Sequence, residues 1–244
     1  MSKKRFMKWI LSFVIIFNTT NMNAQNKNQS LDDREQNLAA ISALTATGNI
    51  EKLKTQLNAG LDAGLTVNEI KEALVQLYAY CGFPRSLNGI SSFMQVLEER
   101  KKNDITDEVG KAATPLKDTL DTYERGRKTL EVLTKTPQVK PAPGFGEFAP
   151  RIDAFLKEHL FADIFDSDVL DYRKREIVTI AALAAMQGTE GQLQAHIGMG
   201  MNTGITVEQV KAVFDIIEDA VSKEQAETAR AVLSNTKSKK INNN

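Results

Sequence analysis

Gly60-Leu61-Asp62-Ala63-Gly64-Leu65-Thr66-Val67-Asn68-Glu69-Ile70-Lys71 returns as Gly200-Met201-Asn202-Thr203-Gly204-Ile205-Thr206-Val207-Glu208-Gln209-Val210-Lys211, a shift of 140 residues. The same shift sets Gly48 on Gly188 and Leu53 on Leu193 without a gap. Unrelated helical segments rarely share both punctuating glycines and apolar positions, so the chain holds two copies of one helical unit. In each copy the quoted stretch also starts a helix. Thr66 with Glu69, and Thr206 with Gln209, have capping-box spacing. Leu65 with Ile70, and Ile205 with Val210, are spaced for a hydrophobic staple across the same cap. Beyond it Ile70, Ala73, Leu74, Leu77, Tyr78 and Cys81 form an apolar stripe, matched by Val210, Val213, Phe214 and Ile217. Glycine and proline are sparse and no alternating pattern persists, which predicts an all-α fold of two tandem repeats.

Working outward, Leu38, Ile41 and Leu44 predict a first helix closed by Gly48, and Leu53 and Leu57 a second from Asn49 to Leu61. In copy one Gly82 and Pro84 are expected to stop the third helix, with a fourth from Arg85 to Lys101. Copy two lacks that stop, and its helix either runs on or breaks near Ser222 before a helix ending near Ser234. Between the copies, Ile105 to Leu133 reads as helical. Thr136 to Pro150, with its prolines and glycines, reads as a loop. Arg151 to Phe165 reads as an amphipathic helix with Ile152, Phe155, Leu156 and Leu160 on one side, and the tail from Asn235 as disordered. The expected division is a signal segment over 1–24, a first repeat over 31–102, a connection over 103–150, a second repeat over 151–234 and a tail over 235–244.

Lys3, Lys4, Arg5 and Lys8 precede an apolar run from Trp9 to Phe17 and polar residues to Ala24. That is the layout of a secretory signal, too short to span a bilayer, with cleavage expected after Ala24. The other reading is an uncleaved N-terminal anchor. On both, the body of the protein is exported, to the periplasm or beyond. No cysteine directly follows Ala24, so no lipid anchor is expected, and no stable membrane anchor remains after cleavage. Removing the segment takes four basic residues and no acidic one, turning 31 against 31 into 27 against 31. A mildly acidic chain lacks the basic face a nucleic-acid partner requires. One cysteine in an exported chain means no internal disulfide, so packing or self-association must hold the fold.

The copies differ where chemistry is expected. Copy one has Tyr80-Cys81-Gly82-Phe83-Pro84-Arg85 opposite Ala220-Val221-Ser222-Lys223-Glu224-Gln225, and copy two has His196 opposite Gln56. Copy one carries the strings Gly64-Leu65-Thr66, Ile70-Lys71-Glu72-Ala73-Leu74 and Tyr80-Cys81-Gly82-Phe83-Pro84, and copy two carries three of its own. These are Leu170-Asp171-Tyr172-Arg173-Lys174-Arg175-Glu176, Gln192-Leu193-Gln194-Ala195-His196, and Gly204-Ile205-Thr206 with Glu208. In this order and spacing the set resembles the carboxymuconolactone decarboxylase family and its alkylhydroperoxidase D-type relatives. Tyr123-x-x-Gly126 resembles the opening helix of a decarboxylase-type unit. The resemblance implies an alkylhydroperoxidase D-like fold, a small-molecule substrate, and a homo-oligomer. A trimer of tandem units would place six half-repeats in the ring expected of single-unit relatives.

In the peroxidase branch of that family a Glu precedes a Cys-x-x-Cys-x-x-x-His helix, and Glu and His relay protons for the thiols. Carried over, the Glu is Glu176 and the His is His196, but Thr189 and Gln192 hold the cysteine positions. Neither forms a thiolate, and Cys81 lies on another helix, so peroxidase activity stands only as a family-level alternative. The decarboxylase branch implies cofactor-free lyase chemistry on a carboxylated or lactone-like molecule. There His196 supplies an acid or stabilises an enolate, Glu176 orients it, and Arg85 holds a substrate carboxylate. Tyr80, Cys81 and Pro84 line the corner where the helix stops. Stacked copies would combine Tyr80 and Arg85 from copy one with His196 from copy two in one composite site.

Each residue also has a plain structural reading. His196 shares the inward face of its helix and is equally a core histidine bonded to a carboxylate. Glu176, beside Arg173, Lys174 and Arg175, is equally an exposed ion pair worth under about 1 kcal/mol. Cys81 is equally core, Tyr80 and Pro84 equally turn-makers, and Met186, Met199 and Met201 packing. With only His159 and His196 in the chain, a His-rich metal centre is excluded, and no cofactor is expected. A binding or scaffolding protein without catalysis is the third class.

Overall fold

The computed structural model describes residues 30–116 and 121–242; the expected signal segment and its cleavage point lie outside the described residues. Copy one contributes α1 (Asp33–Thr47), α2 (Ile50–Asp62) and α3 (Val67–Lys102). The connection holds α4 (Thr122–Thr134) and α5 (Phe145–Phe148), and α6 (Pro150–Ala154) leads into a π-helix over Phe155–Ile164. Copy two contributes α7 (Tyr172–Ala185), α8 (Glu190–Asn202), α9 (Val207–Ala220) and α10 (Lys223–Asn242). Among the described residues there is no strand, and no helix long and apolar enough to cross a membrane.

Both capping boxes form. Glu69 N donates to Thr66 Oγ1 at 3.2 Å and Thr66 N to Glu69 Oε2 at 3.0 Å. In copy two Gln209 N donates to Thr206 Oγ1 at 3.2 Å and Thr206 N to Gln209 Oε1 at 3.0 Å. The staple residues Leu65, Ile70, Ile205 and Val210 are all buried.

The repeats pack reciprocally. α1 lies against α7, α3 of copy one against α7, and α9 of copy two against α1. Two cores result, and each central helix serves both. Leu38, Ile41 and Leu44 of α1 join Leu53, Leu57, Leu74 and Phe93, with Val178 and Ala182 of α7. Ala39 and Ala43 of α1 join Ile177, Ile180 and Ala181 of α7 with Leu193, Val213 and Phe214. The repeated glycines let α2 and α8 close on these helices: a Cβ at Gly60 would lie 3.0 Å from Ile41 Cδ1, and one at Gly200 2.9 Å from Ile180 Cδ1.

The expected stop forms within α3: Gly82 leaves the helical region (φ 80°, ψ 160°), and a second helical segment restarts at once and runs to Lys102, with Pro84 suited to its first turn. Copy two does break, between Ala220 and Lys223. Three expectations are corrected. Residues 105–116 form no helix. Instead Glu108 and Val109 carbonyls accept from Val67 N and Asn68 N, the opening amides of α3, while Ile105 and Val109 stay exposed. The stretch over 151–165 becomes a π-helix after Ala154; Ile152 in α6 and Phe155 at the start of the π-helix are about half exposed (50% and 53%), while Leu160, Phe161 and Ile164 are buried. Helix α10 continues through the tail to Asn242.

Tyr123-x-x-Gly126 has a packing role. Gly126 lies so close to the π-helix that a Cβ would fall 1.8 Å from the Lys157 carbonyl oxygen. Beside it, buried Asp153 accepts from Lys157 Nζ at 2.5 Å and Tyr123 Oη at 2.6 Å. The resulting α4–π hairpin packs Leu133, Leu160 and Phe165 on Met199 of α8, with Tyr78 and Tyr80 of α3 at its edge.

Candidate active site

Asp171 caps α7 by accepting from Lys174 N at 2.8 Å, which fixes the helix start and sets Glu176 in its second turn. The three basic residues before Glu176 all leave it. Arg173 Nε reaches Glu35 at 2.9 Å and Lys174 reaches Glu69 at 2.7 Å. Arg175, itself fully buried, reaches Glu72 at 2.7 Å, Gln76 Oε1 at 2.9 Å and the Ser167 carbonyl at 2.7 Å. The exposed ion-pair reading of Glu176 is thereby overturned. Its side chain has no exposed surface, and its Oε2 lies 2.8 Å from His196 Nδ1.

A carboxylate only accepts, so the shared proton is the one on Nδ1, and Nε2 is the free end of the ring. His196 keeps 8% of its side-chain surface, a narrow edge to solvent that Glu176 lacks. Gly200, one turn beyond His196, permits the approach: a Cβ there would press on Ile180 and lie 3.5 Å from Glu176 Cβ.

Tyr80 comes from copy one, in the last turn of α3 before Gly82. Its ring meets His196 edge to face, centroids 5.4 Å apart at 79°. Burial and the charge of Glu176 push its phenol well above the ordinary value, against weaker opposing effects of the Thr179 hydroxyl and Arg175. Two polar atoms of this cluster, Tyr80 Oη and Glu176 Oε1, are buried with no hydrogen-bond partner of good geometry. Gln76 ties the copies together behind them, its Nε2 donating to Thr179 Oγ1 and to the Arg175 carbonyl, both at 2.9 Å.

The other candidate residues lie elsewhere. Cys81 is half-buried against the copy-one core, with Sγ 3.2 Å from the Leu77 carbonyl, and burial pushes its thiol up. Pro84 and Arg85 are exposed, and the Arg85 guanidinium donates to the Ala46 carbonyl at the end of α1. Tyr80 is thus brought to His196, whereas no contact joins Arg85 to it. Sequence reasoning missed Gln76, Thr179 and Arg175. Gln76 and Thr179 had a signal, as polar residues within runs whose neighbours are core. Among the described residues no group of three His, Cys, Asp or Glu side chains converges as a metal site would require.

Two copies of a helical unit, interleaved around one Glu–His pair, define the class. The chain belongs to the carboxymuconolactone decarboxylase family, whose sequence model matches residues 16–92 and 150–235. The unmatched interval contains the residues 105–116 strap and α4. No curated protein matches the chain.

Proposed function

We propose that the protein is a cofactor-free lyase acting on a small carboxylated or lactone-like molecule at the His196–Glu176–Tyr80 site. One observation carries this reading: a buried, carboxylate-oriented histidine beside two buried polar atoms that have no hydrogen bond of good geometry among the described residues. As carbon dioxide leaves, the pair of the breaking C–C bond delocalises on to the lactone carbonyl oxygen. Tyr80 Oη donates a hydrogen bond to that oxygen, and His196 Nε2 delivers a proton to the carbon. Glu176 stabilises the imidazolium that precedes delivery, and the exposed ring edge is where water returns the proton. Arg85, spent on Ala46, has no part.

The peroxidase reading is the weaker one. The chain has one cysteine, and its thiol is raised rather than lowered. Export and a trimer of tandem units complete the proposal. Self-association is supported by the exposed apolar row Phe83, Leu87 and Met94 on α3.

The test is an NMR screen of small carboxylated lactones and organic peroxides with the wild type, His196→Ala and Cys81→Ser. Lactone turnover that His196→Ala abolishes and Cys81→Ser keeps is the expected result. Peroxide consumption lost in Cys81→Ser overturns the proposal, and no turnover of either class moves the protein to the binding class.

A further inference from the structure

The shift that relates the copies also relates two sites. A cleft of about 360 Å³ is lined by Gln36, Asn37, Gln56, Ile216, Asp219 and Ala220 over Ala40. Moved by 140 residues, Gln56 falls on His196 and Ala220 on Tyr80, while α1 and α7, aligned on their caps Asp32 and Asp171, set Asn37 on Glu176. The bond from Gln56 to Asn37 is thus the counterpart of the His196–Glu176 contact. The cleft is therefore the counterpart of the candidate active site, with both titratable groups replaced by amides. Where the first site has the Tyr80 ring against His196, the second has only the methyl group of Ala220. Asp219 stands where the first has Ala79.

The amides have fixed orientations. Gln36 Nε2 donates to the Leu31 carbonyl at 2.8 Å and Asn37 Nδ2 to the Asp33 carbonyl at 2.6 Å, while Gln56 Nε2 donates to Asn37 Oδ1 at 2.6 Å. Backbone carbonyls only accept, so none of the three can be turned round. Left over are Oε1 of Gln36, Oε1 of Gln56 and the Asp219 carboxylate, which bonds no described residue. Asp219 is the one charged side chain in the lining. Lys52 stands near the rim, but its Nζ is spent on the Ala220 carbonyl at 3.0 Å.

We propose that this cleft binds a small organic cation, a primary amine or guanidine with a short apolar body. The charged end meets Asp219 and the two amide oxygens, and the apolar body lies on Ala40, Ile216 and Ala220. The volume falls in the range of about 300–1,000 Å³ usual for small-ligand sites. With no acid or base in histidine's place, the cleft binds without turnover, so its occupancy is independent of chemistry at His196.

NMR titration of the purified protein with butylammonium, pentanoate and 1-butanol tests this. Butylammonium is expected to shift the side-chain amide signals of Gln36 and Gln56. Asp219→Asn is expected to weaken it about tenfold through loss of the charged contact. Ala220→Tyr is expected to abolish binding by placing a phenol ring where the apolar body of the ligand would lie. Equal responses to pentanoate or butanol, unchanged affinity in a folded Asp219→Asn, or no response to butylammonium overturns the proposal.

Discussion

Arg173, Lys174 and Arg175 each pass over Glu176 to reach an acid on copy one, so the charge beside Glu176 in sequence is not the charge beside it in space. That is why the family resemblance marked the Glu–His pair while its surroundings stayed hidden in the sequence. His196 and Glu176 occupy inward positions on α8 and α7, and of the two helices only α7 starts at a side-chain cap, Asp171. Arg85 looked available only because the Ala46 carbonyl that engages it is remote in sequence. Two outcomes follow at the pair. Tyr80→Phe removes a buried hydroxyl that has no hydrogen bond of good geometry among the described residues, so thermal unfolding should show stability unchanged or raised by up to about 1 kcal/mol. Its kcat should fall about 10²-fold with the lost oxyanion donor. Glu176→Gln removes the carboxylate that orients Nδ1, and single-turnover kinetics should show chemistry slowed at least about 10²-fold.

Helices whose beginnings are written in local chemistry were readable: α1 to Gly48, α3 from Thr66 and α9 from Thr206. The connection was not. Ile105 and Val109 have helical spacing, yet the backbone around them satisfies the open amides of α3, a demand invisible from the segment itself. The π-helix was equally hidden, since nothing in its own residues marks the wider turn, and it packs along α4, a partner distant in sequence. Gly126 is the tightest point of that packing. Gly126→Ala puts a methyl group on the Lys157 backbone carbonyl, which no side-chain rotation relieves. A stability loss of about 3 kcal/mol is expected in denaturant melts, at the upper end of overpacking costs.

Glu69 of copy one receives Arg34 from its own copy at 2.5 Å and Lys174 from the other at 2.7 Å, so one carboxylate links both halves. Burial pushes its carboxyl up, but the Lys174 hydrogen bond, the Thr66 amide, the Lys174 charge and Arg34 outweigh burial and bring it from 4.5 down to about 2. A folded value below the unfolded one gives stability that is whole above about pH 4.5 and drains away as pH falls towards 2. Urea midpoints should therefore drop across that interval, and drop less in Glu69→Gln. The sharing of α1 and α7 between both cores has a further result: neither half owns its interior. Cut in the exposed loop near Thr136, the gene should yield two fragments that are insoluble apart and reassemble when co-expressed, a split protein rather than two beads on a string.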